Sequence, residues 1–402
     1  MIGEPPILIP EPPLPEPLLR PERIHGLDIL RTWAMLLGIY LHGAFSFLAG
    51  ETEWVVRDEK TSWGFNFSLW LIHGFRMQLF FVLAGFFARL VRVRIGPWNY
   101  LKRRLLRIGV PLLVGLLVLM PLVYVFWKWG ERLQGFTVDS EFSKIPRTIW
   151  DYPTGHLWFL QYLLCFYVAA FFLEPVMWLL GRGWLGRLLD GLFRWFPFKV
   201  FIFPLAVLWF LLPKSSFESS DIFRVGRVFL PFLGPLAYYG IFFFFGWVLH
   251  RGMGYLKKLE TVGSLVVHAL LAPTAVALLY LIYRNPMIFS SINQYYFAFF
   301  YLISLYTWSM VFFTIGLSLR LFNRRRPRAE YTADASYWFY WLHFPLVLPL
   351  QVMVAPWDNH PLFKCFWVVG VTCLILWPTY HWGVRYTWVG RIFNGRRERP
   401  VV

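Results

Sequence analysis

Four histidines and two arginines fall inside stretches that are otherwise apolar, and residues of these types need a reason to be there. Arg31 and His42 lie in LDILRTWAMLLGIYLH, residues 27–42. His73, Arg76 and Gln78 lie in FNFSLWLIHGFRMQLFFVLAGFFARL, residues 65–90. His156 opens GHLWFLQYLL beside Trp158, and His343 lies in ASYWFYWLHFPLVL with Ser336, Tyr337 and Tyr340. A charged side chain at mid-bilayer costs at least about 2.5–3.5 kcal/mol on insertion scales, so it faces a bundle interior or a wet cavity and has a partner. On a helix, Arg31 and His42 share nearly one face and stand about 16 Å apart, with Met35 and Gly38 between them. Asp28, one turn before Arg31, is its nearest candidate partner. For that pair alone, a snorkelling Arg31 and a structural His42 fit equally well. His73 and Arg76 are one turn apart and share a face, and Arg76 falls close to the midplane. Ser336, Tyr340 and His343 follow helical spacing along one side. Taken together, His and Arg converging in a bundle suggest general base chemistry on a ligand that carries anionic groups. No HExxH, Cys/His set or P-loop occurs, so neither a metal centre nor a nucleotide cradle is indicated.

The elements that must position these residues are membrane helices. The 402 residues are 58% hydrophobic and 21% aromatic but only 15% charged, a composition no soluble domain shares. Several apolar stretches approach the roughly 20 residues needed to cross a hydrocarbon core. The fold expected is therefore an all-α, polytopic integral membrane bundle of about ten transmembrane helices: 27–48, 66–90, 105–127, 156–180, 198–213, 229–249, 261–283, 294–320, 333–355 and 363–384. The fifth is short, and it is kept because dropping it would break the charge alternation described next. Many of the 22 Trp and 20 Tyr sit near the ends of these stretches, as aromatic belts do.

The net charge of +17 reflects topology, not nucleic acid. Basic residues bunch in alternate connections: the first tail, Arg92 to Arg107 with Arg89, residues 182–199, Arg251 to Lys258, RRRPR at 324–328, and the last tail. The intervening connections, around 49–65, 128–155, 214–228, 284–293 and 356–362, are poor in Lys and Arg. The positive-inside rule then puts both termini in the cytosol. Residues 1–24, rich in proline and lacking the regions of a signal peptide, read as a disordered cytosolic tail. Residues 25–392 form the membrane domain, and 393–402 a basic cytosolic tail. Cys165, Cys365 and Cys373 lie within apolar spans, form no CxxC and read as packing residues. No internal repeat and no matched pair of broken helices is visible, which argues mildly against a transporter whose pathway is lined by His and Arg.

The R-x10-H spacing of Arg31 and His42, the stretch LIHGFRMQLFFVLAGFF, HLWFL at 156–160 and SYWFYWLHFPL together resemble the membrane-bound acyltransferase 3 family, and within it the branch associated with O-succinylation of osmoregulated periplasmic glucans. The likeness runs from Arg23 to the tenth span. It implies transfer of an acyl group from cytosolic acyl-coenzyme A, as co-substrate with no tightly bound cofactor, to a hydroxyl of an envelope glycan on the outer side of a bacterial inner membrane. The partners it implies are acyl-coenzyme A, a glucan acceptor and membrane lipids. On this reading Arg92 to Arg107 and Arg324 to Arg328 could hold the coenzyme A phosphates, or be plain positive-inside loops. The pantetheine arm would pass along the face of Asp28, Arg31, Met35 and Gly38 to His42, the general base. Arg76 would stabilise the oxyanion or, for a succinyl group, pair with its distal carboxylate. His73, Gln78, His156, Trp158, Ser336, Tyr340 and His343 would line the substrate site. No nucleophile setting is evident, so transfer is expected to be direct. Acetylation of another envelope polysaccharide or of a lipid-linked glycan is the alternative within this class.

Overall fold

Pro345 and Pro349 sit inside a single long helix, and so do Pro121, Pro175 and Pro273 in three others, which a membrane bundle tolerates because neighbouring helices satisfy the freed carbonyls. The structure, a computed structural model, describes residues 24–182 except 139, 141, 145, 147, 149 and 150, together with 200–205, 231, 233–250 and 254–393. Its helices are α1 His25–Ala44, α2 Trp63–Ile95, α3 Pro97–Arg104, α4 Val110–Gln134, α5 Trp158–Arg182, α6 Leu233–Leu249, α7 Gly254–Leu259, α8 Val262–Arg284, α9 Ile292–Phe322, α10 Pro327–Val354, α11 Pro361–Pro378 and α12 Trp388–Phe393. No β-strand occurs among the described residues. Most of the expected fifth span, the tail through residue 23, the connections 183–199 and 214–228, Arg251, and residues 394–402 lie outside the described residues.

Among the described residues, 6 helical stretches are long and apolar enough to cross a membrane: Trp63–Ile95, Pro97–Gln134, Gly155–Val176, Val262–Arg284, Ile292–Phe322 and Pro361–Val384. α6 is apolar but spans only 17 residues. α1 and α10 are long enough and fall outside that set. The ionisable residues they carry are His25, Asp28, Arg31 and His42 in α1, and Arg328, Glu330, Asp334 and His343 in α10. These are the two helices that converge on the cavity described below.

Local signals set the helix ends. Ser62, Thr261 and Ser291 each accept a backbone N–H two or three residues on, capping α2, α8 and α9. Gly96, at φ +79°, makes the turn from α2 into α3 that a residue with a Cβ would strain. α2 and α6 cross at two glycines. A Cβ on Gly85 would lie 1.9 Å from the carbonyl oxygen of Phe243, and one on Gly246 would lie 1.9 Å from that of Val82. Small residues permit this approach, as is common where helices meet in lipid. α1 is central, with α2, α9, α10 and α11 around it. Its first turn is tied to α9 by Ser318, whose hydroxyl donates to the Gly26 carbonyl at 2.7 Å.

The connection between α1 and α2 is pinned by an ion pair. Lys364 Nζ of α11 lies 2.7 Å from Asp58 Oδ2, and each side chain is 2% exposed. Lys364 also donates to the Ala355 carbonyl, and Asp58 Oδ1 accepts the Lys60 amide. Breaking a buried pair by removing one partner leaves an uncompensated charge and costs about 3–5 kcal/mol. Lys364→Met is therefore expected to lower the thermal midpoint of the detergent-solubilised protein markedly. Adding Asp58→Asn should restore most of the loss, whereas equal midpoints for Lys364→Met and the parent would show that the pair holds nothing.

Candidate active site

Three of the histidines meet. His42 occupies the last turn of α1, His343 lies in α10, and His156 lies in the short turn Gly155–Leu157 that leads into α5. The ring of His343 is 5.1 Å from that of His42 and 5.3 Å from that of His156, centre to centre. Phe344 packs edge-on against His42 at 5.1 Å and stacks on His156 at 4.9 Å. Above them Trp54, Trp127 and Phe142 close an aromatic roof, with Trp54 5.8 Å from Phe344 and 5.6 Å from Trp127.

The hydrogen bonds assign tautomers to two of the three rings. His343 Nδ1 faces the carbonyls of Phe339 and Tyr340 at 3.1 and 2.7 Å, so it donates, and Nε2 keeps the lone pair. That Nε2 is buried with no hydrogen-bond partner among the described residues. His156 Nε2 donates to the Trp341 carbonyl at 3.1 Å, which leaves its Nδ1 in the same position. Buried nitrogens of this kind call for a partner such as a water or a ligand atom.

Arg76 lies against α1 one turn before His42. A Cβ on Gly38 would lie 2.0 Å from Arg76 Nη1, so glycine at this position makes room for the guanidinium. Arg76 is 8% exposed. Its Nη2 touches Met77 Sδ at 3.4 Å, and its Nε has no hydrogen-bond partner. Among the described residues no carboxylate pairs with it, an arrangement expected for a cation that serves a ligand.

From this cluster a cavity of about 440 Å³ runs down between α1, α2, α5 and α10. At one end stand His42, Arg76, His156 and His343; at the other stand Arg94, Arg104, Arg107 and Phe393. Arg76 and Arg94 lie on the same helix, and eighteen residues of rise put them about 27 Å apart. Apolar side chains, among them Met35, Phe80, Leu83 and Leu163, line the stretch between. Asp28 and Arg31 line it toward the basic end, with Arg31 Nη2 3.6 Å from Asp28 Oδ1 and 2.9 Å from the Ala333 carbonyl. Arg104 is braced by the Phe87 carbonyl at 3.2 Å and by the ring of Tyr167 at 4.7 Å.

Trp158, Ser336 and Tyr340 also line the cavity. Ser336 Oγ donates to the Ala333 carbonyl of its own helix, and the Tyr340 hydroxyl donates to the His156 carbonyl. His73 and Gln78 are not part of the lining. Gln78, two residues after Arg76 and so about 200° around α2, donates to the Tyr238 hydroxyl at 3.0 Å. Among the described residues no three His, Cys, Asp or Glu side chains converge as metal ligands.

Residues 24–381 match the acyltransferase domain of the acyltransferase 3 family. The chain belongs to that family. Glucans biosynthesis protein C of Salmonella gallinarum is 24% identical to it over 404 residues, covering 93% of this chain and 95% of the relative. The proteins of the same name from Salmonella typhi and Salmonella typhimurium are each 32% identical over 143 residues, 35% of this chain and 36% of theirs. No solved structure matches. Membership makes this a multi-pass membrane acyltransferase.

Trp54, Phe344 and Gln351 touch the His cluster and carried no sequence signal of their own. Among 42 Phe and 22 Trp, one ring does not stand out. Gln351 is a lone amide in an apolar run, a pattern that also describes ordinary helix glue.

Proposed function

We propose that the protein is an O-acyltransferase of the bacterial inner membrane that moves a succinyl group from cytosolic succinyl-coenzyme A to hydroxyls of a periplasmic glucan. The glucan comes from the relatives' name, and the succinyl donor from the resemblance of the motifs. The observation that carries the reading is the single cavity connecting Arg94, Arg104 and Arg107 with His42. The basic end faces the cytosol under the positive-inside rule, with about ten spans and both termini inside. There the guanidiniums would bind the coenzyme A phosphates bidentately, and the apolar stretch would carry the pantetheine arm. The thioester then reaches the histidines.

In the transfer step the acceptor hydroxyl oxygen attacks the thioester carbonyl carbon while its proton passes to an imidazole nitrogen of His42. A tetrahedral oxyanion forms beside the Arg76 guanidinium, one helical turn away. The C–S bond breaks, and the coenzyme A thiolate takes the proton and leaves as the thiol. Direct transfer is favoured because no cysteine lines the cavity and Ser336 is engaged by its own helix.

The test uses purified protein in lipid nanodiscs with succinyl-coenzyme A and a β-glucan. Free thiol should appear only when glucan is present, and mass spectrometry should find succinyl esters on the glucan. Thiol release without acceptor that leaves acylated protein would replace direct transfer by an acyl-enzyme. No transfer to any glycan, with passage of the labelled donor across sealed vesicles, would favour a transporter.

A further inference from the structure

We propose that Gln351 is the positioning residue of the candidate base, holding the last turn of α1 so that His42 faces the end of the cavity. The inference rests on the reading of His42 as the base. The carbonyls of a helix's last turn are the ones its own ladder satisfies least, and that of His42 accepts the Phe45 N–H while keeping a second lone pair for another donor. His42 stands in that turn. Gln351 is 0% exposed. Its Nε2 donates to the His42 carbonyl at 2.9 Å and to the Gly43 carbonyl at 3.1 Å, while its Oε1 accepts from Trp54 Nε1 at 2.9 Å.

The chemistry of the partners fixes which way the amide points. Backbone carbonyls only accept and an indole N–H only donates, so the nitrogen must face α1 and the oxygen must face Trp54. Glutamine supplies two N–H donors and the acceptor at this reach. An ionised glutamate lacks the donor, a protonated one keeps a single O–H, and methionine lacks donor and acceptor alike. Gln351 lies seven residues after Phe344, on nearly the same face of α10, and Phe344, like His343, touches both His42 and His156. One face of α10 therefore sets the position of the His42 ring through Phe344 and the position of its backbone through Gln351. Trp54 extends the arrangement to the α1–α2 connection, its ring 6.5 Å from that of His42. The connection is anchored in turn by Asp58 and Lys364.

The experiment compares wild type, Gln351→Met, Gln351→Glu and Trp54→Phe as full-length proteins in nanodiscs. Hydrogen exchange is followed over residues 40–47, and steady-state kinetics are run with succinyl-coenzyme A and glucan. In Gln351→Met, exchange over 40–47 should speed up while the middle of α2 stays protected, and Gln351→Glu, whose protonated form keeps one donor, should change less. kcat should fall on the order of 10²-fold, the size of effect that a displacement near 1 Å produces, with the KM for succinyl-coenzyme A unchanged because the basic end is untouched. Trp54→Phe keeps both bonds to α1 and should lose less. Unchanged exchange over 40–47 in Gln351→Met would overturn the clamp whatever the activity. Faster exchange with unchanged kcat, or a KM that rises as kcat falls, would overturn its positioning role. Failure of the acyl-transfer reading itself would show in the wild-type arm, where no succinyl ester would form.

Discussion

His42→Ala is expected to lower glucan succinylation by about 10²–10⁴-fold, the range a positioned general base contributes. In free energy this is about 3–5 kcal/mol of transition-state stabilisation, and the residual rate comes from donor positioning and from Arg76. On the proposed reading the KM for succinyl-coenzyme A should change little, because the phosphates would be held at the basic end, where Arg94 lies about 27 Å from Arg76. The fold should survive as well: His42 is half-buried, and the bonds that hold its turn run through its backbone carbonyl to Gln351. His42 is preferred to its neighbours because it stands one helical turn from Gly38, the position against which the Arg76 guanidinium packs. The measurement is mass spectrometry of glucan from a deletion strain complemented with wild-type or variant protein at matched membrane levels. Equal substitution with both proteins would remove His42 from the chemistry and turn attention to His343, whose ring is 5.1 Å away.

What could be read in advance was whatever a membrane makes expensive. Arg31 and His42 stood out because ionisable groups in an apolar helix need a purpose, and helical spacing placed them on one face. The bundle was legible for the same reason, since length and apolarity mark a spanning helix without knowledge of its neighbours. Both signals are local.

The missing parts depend on contacts between distant positions. Asp58 meets Lys364 across more than 300 residues, and neither residue looks unusual in a polar connection or near a helix start. Trp54 resembles any belt tryptophan until its indole is seen bonded to Gln351. Gln78 shows the reverse case. It was expected to line the substrate site near Arg76, yet it faces α6 because two residues along a helix turn the side chain about 200°. A short apolar stretch such as 198–213 cannot be told from a buried segment by periodicity, so only the alternation of basic loops argued for it.

Arg76→Met is the second substitution expected to have a large effect, and its substrate dependence separates two roles. Methionine keeps the apolar stem and removes the guanidinium, which among the described residues has no carboxylate to leave stranded. If Arg76 stabilises the oxyanion, the loss should be about 10²–10³-fold in kcat and the same for succinyl and acetyl donors, since both pass through the same tetrahedral carbon. If it instead pairs with the distal carboxylate of a succinyl group, the loss should fall on the succinyl donor alone and appear largely in KM. The oxyanion role is the one expected from placement: Arg76 Nη1 packs where a Cβ of Gly38 would be, one turn or about 6 Å of rise from His42 along α1. Gly38→Ala supplies a companion test. The added methyl meets the end of a flexible side chain, so it should displace the guanidinium with little loss of stability and reproduce much of the Arg76→Met defect. A variant at either position that retains full kcat with both donors would take Arg76 out of the reaction and leave His42 to act without it.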